Sequence, residues 1–235
     1  EDKELSEAKK MTSILNKKYQ PEGLFEDEEI KDKEEIIHSS CPKPDKDYEN
    51  LMFLALDQEN GLPDINYTPR DLVSLGEIST RKDICLVQEV KKSLTLMFES
   101  AKEVGLSIKV TSAFRDYNYQ ENLYKNALKN NPDPKKSVAK PGYSEHQLGT
   151  TVDLSGSSIN FASASINFDN TPEDLWLREN AHLYGFIMSF PYGKDETTGY
   201  KYEPWHYRYV GKDIACEVKD SGLTLVEYLR LKNLP

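Results

Sequence analysis

Two short stretches hold residue types that do chemistry together. Ser144-Glu-His-Gln-Leu-Gly-Thr-Thr-Val-Asp153 places His146 seven residues ahead of Asp153, with Gly149 between them. Glu203-Pro-Trp-His-Tyr-Arg208 supplies a second histidine, His206, three residues after a glutamate. A hydrolytic zinc site uses three protein ligands and leaves the fourth position to water. His146, Asp153 and His206 are a candidate ligand set, and Glu203 is a candidate unligated carboxylate beside them. Spacing alone leaves the bland reading open. A histidine seven residues from an aspartate is common, and a lone histidine is more often a satisfied structural residue.

The elements around these stretches must bring them together. Gly149 permits a sharp turn, and Thr150–Leu154 reads as a short strand carrying Asp153. Tyr200–Val210 reads as another strand. In a regular strand Glu203 and His206 would face opposite sides. Pro204 cannot donate to a ladder, which predicts irregular backbone at that end. Leu86, Val90, Leu94, Met97, Ala101 and Val104 recur at helical steps and Gly105 ends the run. Ser107–Phe114 is rich in β-branched residues and reads as a strand. Asp116 caps a helix to about Asn130. Pro172 opens another, closed by Gly185. Leu51–Leu56 and Phe186–Phe190 have strand length, and Asp213–Leu231 has helical spacing. Strands and helices mix without βαβ regularity, so the expected class is α+β with a central antiparallel sheet and flanking helices.

Residues 1–50 differ in character. Glu26–Glu35 is nearly all charge and Cys41–Lys46 is a breaker cluster. This segment is expected to be a charged spacer or stalk, partly disordered or helical (Leu5–Lys18), ahead of a domain over 51–235. The 235-residue chain carries a net charge of −10. That balance excludes a general nucleic-acid binder, which needs a basic face. No run of about 18 apolar residues is present, so no membrane span is expected. The chain opens at Glu1 without a signal-type segment and is expected to be a processed product, with an N-terminal anchor as one option for what is lost. Three cysteines, Cys41, Cys85 and Cys216, form no motif and leave the pairing open.

Taken in order, the motifs resemble one family. Pro141–Gly149 with Asp153, followed by Glu203-x-x-His206, is similar to the zinc D-Ala-D-Ala carboxypeptidases of VanY and LdcB type. Lysostaphin-type peptidases and the hedgehog domain are more distant relatives. Ser112–Tyr117 with Gln120, Trp176–Ala181 with Tyr184–Phe186, and Glu203–Gly211 also look like family segments, so the resemblance spans roughly 51 to 216. Thr151 departs from it, standing where the family usually has alanine.

The resemblance implies a hedgehog/D-Ala-D-Ala peptidase-like fold. It implies Zn²⁺ held by His146, Asp153 and His206, with Glu203 as general base and Glu145 as its rival. Arg115 would bind a substrate carboxylate or carbonyl oxygen. Gln120, Tyr143 and Ser144 would be further substrate contacts. Apart from the resemblance, strand parity puts Arg208 on the face of His206, where it reads equally as a salt-bridge support of the site or as a plain sheet-surface charge. The implied partners are peptidoglycan stem peptides, cut at an L,D bond in tetrapeptides or a D,D bond in pentapeptides. The implied setting is the bacterial cell surface, with the protein a monomer. A peptidoglycan endopeptidase and a non-catalytic zinc-containing binding module are the rival readings.

Overall fold

The apolar stripe of residues 86–104 sits at the centre of the fold. In the computed structural model, which describes residues 41–47, 51–131 and 136–232, helix α1 (Gln88–Glu103) buries Val90, Leu94, Met97 and Ala101 completely. The expected helix is thus found, but its start is displaced. Leu86 belongs to a short strand, β2 (Cys85–Val87), which pairs antiparallel with β1 (Leu72–Ser74). Leu51–Leu56 forms no strand. It is an irregular strap that buries Leu56 against Leu62, Tyr67 and Leu148. The Leu5–Lys18 helix lies outside the described residues, as does most of the 1–50 segment.

The main sheet has four antiparallel strands in the order β3-β4-β6-β5, which gives the α+β class. They are β3 (Ile108–Ser112), β4 (Thr151–Gly156), β5 (Phe186–Met188) and β6 (His206–Tyr209). All six β4 residues are buried, because β4 is an inner strand covered on both faces. Strand alternation divides its side chains. Val152 and Leu154 join α1, Phe168, Leu177, Phe186 and Tyr207 in the main core. Thr151, Asp153 and Ser155 face the other side. The strand expected over Tyr200–Val210 is confined to four residues. Ahead of it, His206 N–H donates to Glu203 O at 3.1 Å, closing a turn through Pro204. That turn removes the parity conflict and lets Glu203 and His206 face one point.

The helices begin as their capping residues dictate. Asp116 accepts from Tyr119 N–H at 2.7 Å at the head of α2 (Tyr117–Asn130). Thr171 caps α3 (Pro172–Asn180), where Pro172 occupies the first turn. A one-turn helix α4 (Asp195–Thr198) precedes Tyr200. Gly222 divides the helical tail into α5 (Lys212–Ser221) and α6 (Leu225–Leu231), which share a second cluster of Val210, Ala215, Val218, Leu225, Tyr228 and Leu229. A disulfide joins Cys41 to Cys85 on β2, and both are buried. Cys216 is free.

Candidate metal centre

His146 lies on a 3-10 turn, Glu145–Leu148, between two fixed ends. At the start, the Ser144 hydroxyl accepts from His146 N–H at 3.3 Å. At the other end Gly149 takes φ +70°, and a Cβ there would stand 2.6 Å from Pro69 Cγ. Only glycine meets both demands. The chain then enters β4 and delivers Asp153. Register does the rest: Asp153 lies directly opposite His206 across β4 and β6.

Hydrogen bonds assign the tautomer of each ring. His146 Nδ1 is 2.7 Å from Ala113 O. A carbonyl only accepts, so Nδ1 carries the hydrogen and the Nε2 lone pair is open. His206 Nε2 is 2.9 Å from Glu145 Oε2, an acceptor, so its open lone pair is on Nδ1. These two lone pairs stand 3.3 and 3.4 Å from Asp153 Oδ1. With metal–nitrogen and metal–oxygen bonds of roughly 2.0–2.1 Å, the edge of a tetrahedral zinc site is about 3.3 Å. His146 Nε2 and Asp153 Oδ1 are buried and have no hydrogen-bond partner. Two orphaned buried acceptors at the spacing of a ligand tetrahedron fit a divalent cation, and the residues present suit zinc.

Glu203 stands beside this set, its Oε2 3.5 Å from His206 Nδ1. Burial pushes its carboxyl up to about 7, an effect that the neighbouring His206 partly offsets and Asp153 reinforces. Burial drives the His146 imidazole down to about 4, aided by Arg115, so it is neutral. For His206 burial also opposes charge, but the adjacent Asp153 carboxylate and the Glu145 carboxylate bonded to it outweigh that and lift it to about 10. The pull that draws a proton to Nδ1 draws a cation equally well.

Glu145 is committed elsewhere than to base chemistry. Its carboxylate bridges His206 Nε2 and Arg208 Nη1, the latter at 2.9 Å. Arg208 Nη2 donates to Met52 O at 2.7 Å and Leu54 O at 2.8 Å, so the strap of residues 51–56 braces the arginine. Arg208 does occupy the His206 face of β6. Thr151, across from Arg208, is fully buried and its hydroxyl has no hydrogen-bond partner.

A cavity of about 240 Å³ opens over the cluster. Arg115, Gln120, Tyr143, Ser144, Glu145, His146, Asp153, Glu203 and His206 all line it, together with Phe190, Tyr200 and Trp205, which sequence reasoning did not assign. Arg115 Nη1 lies 4.0 Å from Asp153 Oδ2, and its Nε has no partner. Gln120 Nε2 donates to Ala139 O at 2.8 Å, while its Oε1 is buried and unpaired. Lys140 Nζ sits 4.1 Å above the Tyr143 ring.

An α+β fold that gathers two imidazoles, a carboxylate and an adjacent unligated glutamate under one cavity has the layout of a metal-dependent hydrolase. Residues 83–212 match the VanY family, described as D-alanyl-D-alanine carboxypeptidase. The chain belongs to that family and is a peptidase. It is 39% identical over 186 residues to the putative carboxypeptidase YodJ of Bacillus subtilis, covering 77% of this chain and 67% of that protein. Among solved structures it is similar to the LdcB LD-carboxypeptidase, studied for its peptidoglycan recognition, with 35% identity, 75% and 84% of the two chains covered and a TM-score of 0.70. It is also similar to a mutant of the vancomycin-resistance D,D-pentapeptidase VanY in complex with Zn(II), with 28% identity, 76% and 98% coverage and a TM-score of 0.63.

Proposed function

We propose that this chain is a zinc-dependent carboxypeptidase that removes the terminal D-alanine from peptidoglycan stem peptides, at the L,D bond of tetrapeptides or the D,D bond of pentapeptides. The observation that carries the reading is the convergence of His146 Nε2, His206 Nδ1 and Asp153 Oδ1 on one buried point, with Glu203 Oε2 alongside. The Zn(II) complex of the VanY relative supports zinc as the cation. Bound there, zinc supplies a Lewis acid that acidifies water and polarises the scissile carbonyl.

Each of the remaining steps falls to a residue of this chain. The Arg115 guanidinium, which lines the cavity and has its Nε unpaired, binds the terminal carboxylate of the peptide. Gln120 Oε1 accepts from a substrate N–H, and Tyr143 and Ser144 line the same cavity. Glu203 takes the proton from the attacking water at Oε2 and returns it to the leaving nitrogen as the C–N bond breaks. Without the cation, burial raises that carboxyl to about 7, which makes it a better base than an exposed glutamate. The reaction sets the enzyme outside the bacterial membrane, and the Cys41–Cys85 disulfide suits such an oxidising site. Among the described residues no helix is long and apolar enough to cross a membrane.

The Glu203→Ala variant tests the roles. It is expected to bind one zinc per chain with wild-type affinity and to lose D-alanine release by at least about 10²-fold, the scale of a positioned acid–base group. An active variant would remove Glu203 from the mechanism.

A further inference from the structure

Beyond Leu56 the strap runs on to Leu62 and meets the residues that lead into the metal turn. Leu62 N–H donates to Gly142 O at 2.8 Å. Next to it, Gly61 lies so close that a Cβ there would stand 3.0 Å from Gly142 O and 3.0 Å from both Cε1 and Cζ of Tyr143. Carbon atoms in ordinary contact are about 3.5–4.0 Å apart. Tyr143 lines the catalytic cavity with Arg115 and Ser144, and the Ser144 hydroxyl caps the turn that carries His146. Both partners in this contact are held. On the strap side, the Asp57 carboxylate accepts from Glu59 N–H at 2.7 Å, Asn60 N–H at 2.9 Å and Asn60 Nδ2 at 2.8 Å, and it pairs with Arg230 on α6. On the cavity side, Tyr143 N–H donates to Lys140 O at 3.0 Å, and Lys140 Nζ lies over the Tyr143 ring.

We infer that Gly61 is a positioning residue: its bare backbone sets where the Tyr143 ring stands in the cavity wall, and so how tightly the peptide is held. This rests on the carboxypeptidase reading and on Tyr143 as a substrate contact. Gly61 is not among the glycines with positive φ, so its backbone conformation does not call for glycine. What calls for it is space. Of the atoms that a Cβ would meet, the Gly142 carbonyl is tied to Leu62 N–H, while the Tyr143 ring can turn about its single bonds. The strap cannot retreat without breaking the Asp57 turn. An added methyl group is therefore relieved by the ring, which must move by about 0.5 Å to restore ordinary contact.

The test compares Gly61→Ala, Tyr143→Ala and the double variant on whichever of the tetra- or pentapeptide the wild type hydrolyses. A misplacement of about 1 Å costs up to about 10²-fold, so half of that is expected to raise KM about tenfold in Gly61→Ala. Zinc affinity and kcat stay within about twofold, because the ring contributes to holding the peptide and not to the chemical step. Tyr143→Ala raises KM as well, and adding Gly61→Ala to it raises KM no further, since no ring is left to displace. Unchanged KM in Gly61→Ala overturns the inference, as does a further rise in the double variant, or a rise that accompanies a loss of zinc. If Gly61→Ala fails to fold, folding restored by Tyr143→Ala supports the contact, and failure in both backgrounds overturns it. Wild-type KM in Tyr143→Ala removes Tyr143 from substrate binding, and this inference with it, while leaving the carboxypeptidase reading in place. A wild-type protein that releases no D-alanine overturns that reading and the inference together.

Discussion

Glu145→Gln perturbs the support beneath the ligands without changing its shape. In the native site one carboxylate serves two donors, His206 Nε2–H at 2.9 Å and Arg208 Nη1 at 2.9 Å. An amide has a single oxygen. If that oxygen serves Arg208, the NH₂ group confronts His206 Nε2, which must then become an acceptor. The hydrogen moves to Nδ1 and removes the ligand lone pair. If the oxygen serves His206, the NH₂ group faces the guanidinium and leaves a buried charge held only by two carbonyls. Loss of a partner from a buried pair costs about 3–5 kcal/mol, and loss of a group that orients a ligand costs about 10–100-fold in metal affinity. The expected result is therefore a stability loss near the lower end of that range, since the amide keeps one bond, and zinc binding weakened at least about tenfold. Urea denaturation in excess chelator measures the first without the metal, and competition with a chromophoric chelator measures the second. Arg208→Met with Glu145→Gln should cost less than the two single changes together, because no charge is stranded. Wild-type zinc affinity and an unchanged urea midpoint in Glu145→Gln would refute the role given to the pair.

Two further outcomes follow from features away from the ligands. The Cys41–Cys85 bond spans 44 residues. A loop of that size implies about 4 kcal/mol of stabilisation on the chain-entropy relation, so the Cys41→Ser/Cys85→Ser variant should melt about 10 °C lower by calorimetry, and an unchanged melting temperature would show that the bond does not form. Glu173 lies under Gly156 and accepts from Ser158 Oγ at 2.6 Å, Ser158 N–H at 3.1 Å and Ser157 Oγ at 3.0 Å. Burial alone would raise its carboxyl, but these bonds outweigh it and hold it below its ordinary 4.5. Its stabilisation is thus fully present above that value and declines as pH falls through the lowered one. The stability gap between wild type and Glu173→Gln should be constant above about pH 5 and shrink in more acid solution. A gap independent of pH would contradict the assignment.

What could be read from the sequence was local. Helix α1 declared itself through Val90, Leu94, Met97 and Ala101 on one face, and α2 and α3 through Asp116 and Pro172. The ligand set was legible because His146, Gly149 and Asp153 lie within one turn and strand, and because their order with Glu203 and His206 resembles a family. Non-local features were not. Leu51–Leu56 has the composition of a strand but no strand partner, and its carbonyls bind Arg208 from 156 and 154 residues away. Strands β1 and β2 are three residues each, too short for any alternation to register. Cys41 had two other cysteines to choose from. Glu145 read as a rival base because its partners, His206 and Arg208, are 61 and 63 residues distant.

The most direct test incubates metal-replete protein with muropeptide tetrapeptides and pentapeptides, beside a chelator-treated sample, and weighs the products by mass spectrometry. A zinc carboxypeptidase removes one alanine from the C-terminus of one or both substrates, stops when chelated, and recovers when zinc is restored. Loss from the tetrapeptide alone marks L,D activity, and loss from the pentapeptide alone marks D,D activity. Internal cleavage, or full zinc binding with no product from either peptide, would contradict the carboxypeptidase reading.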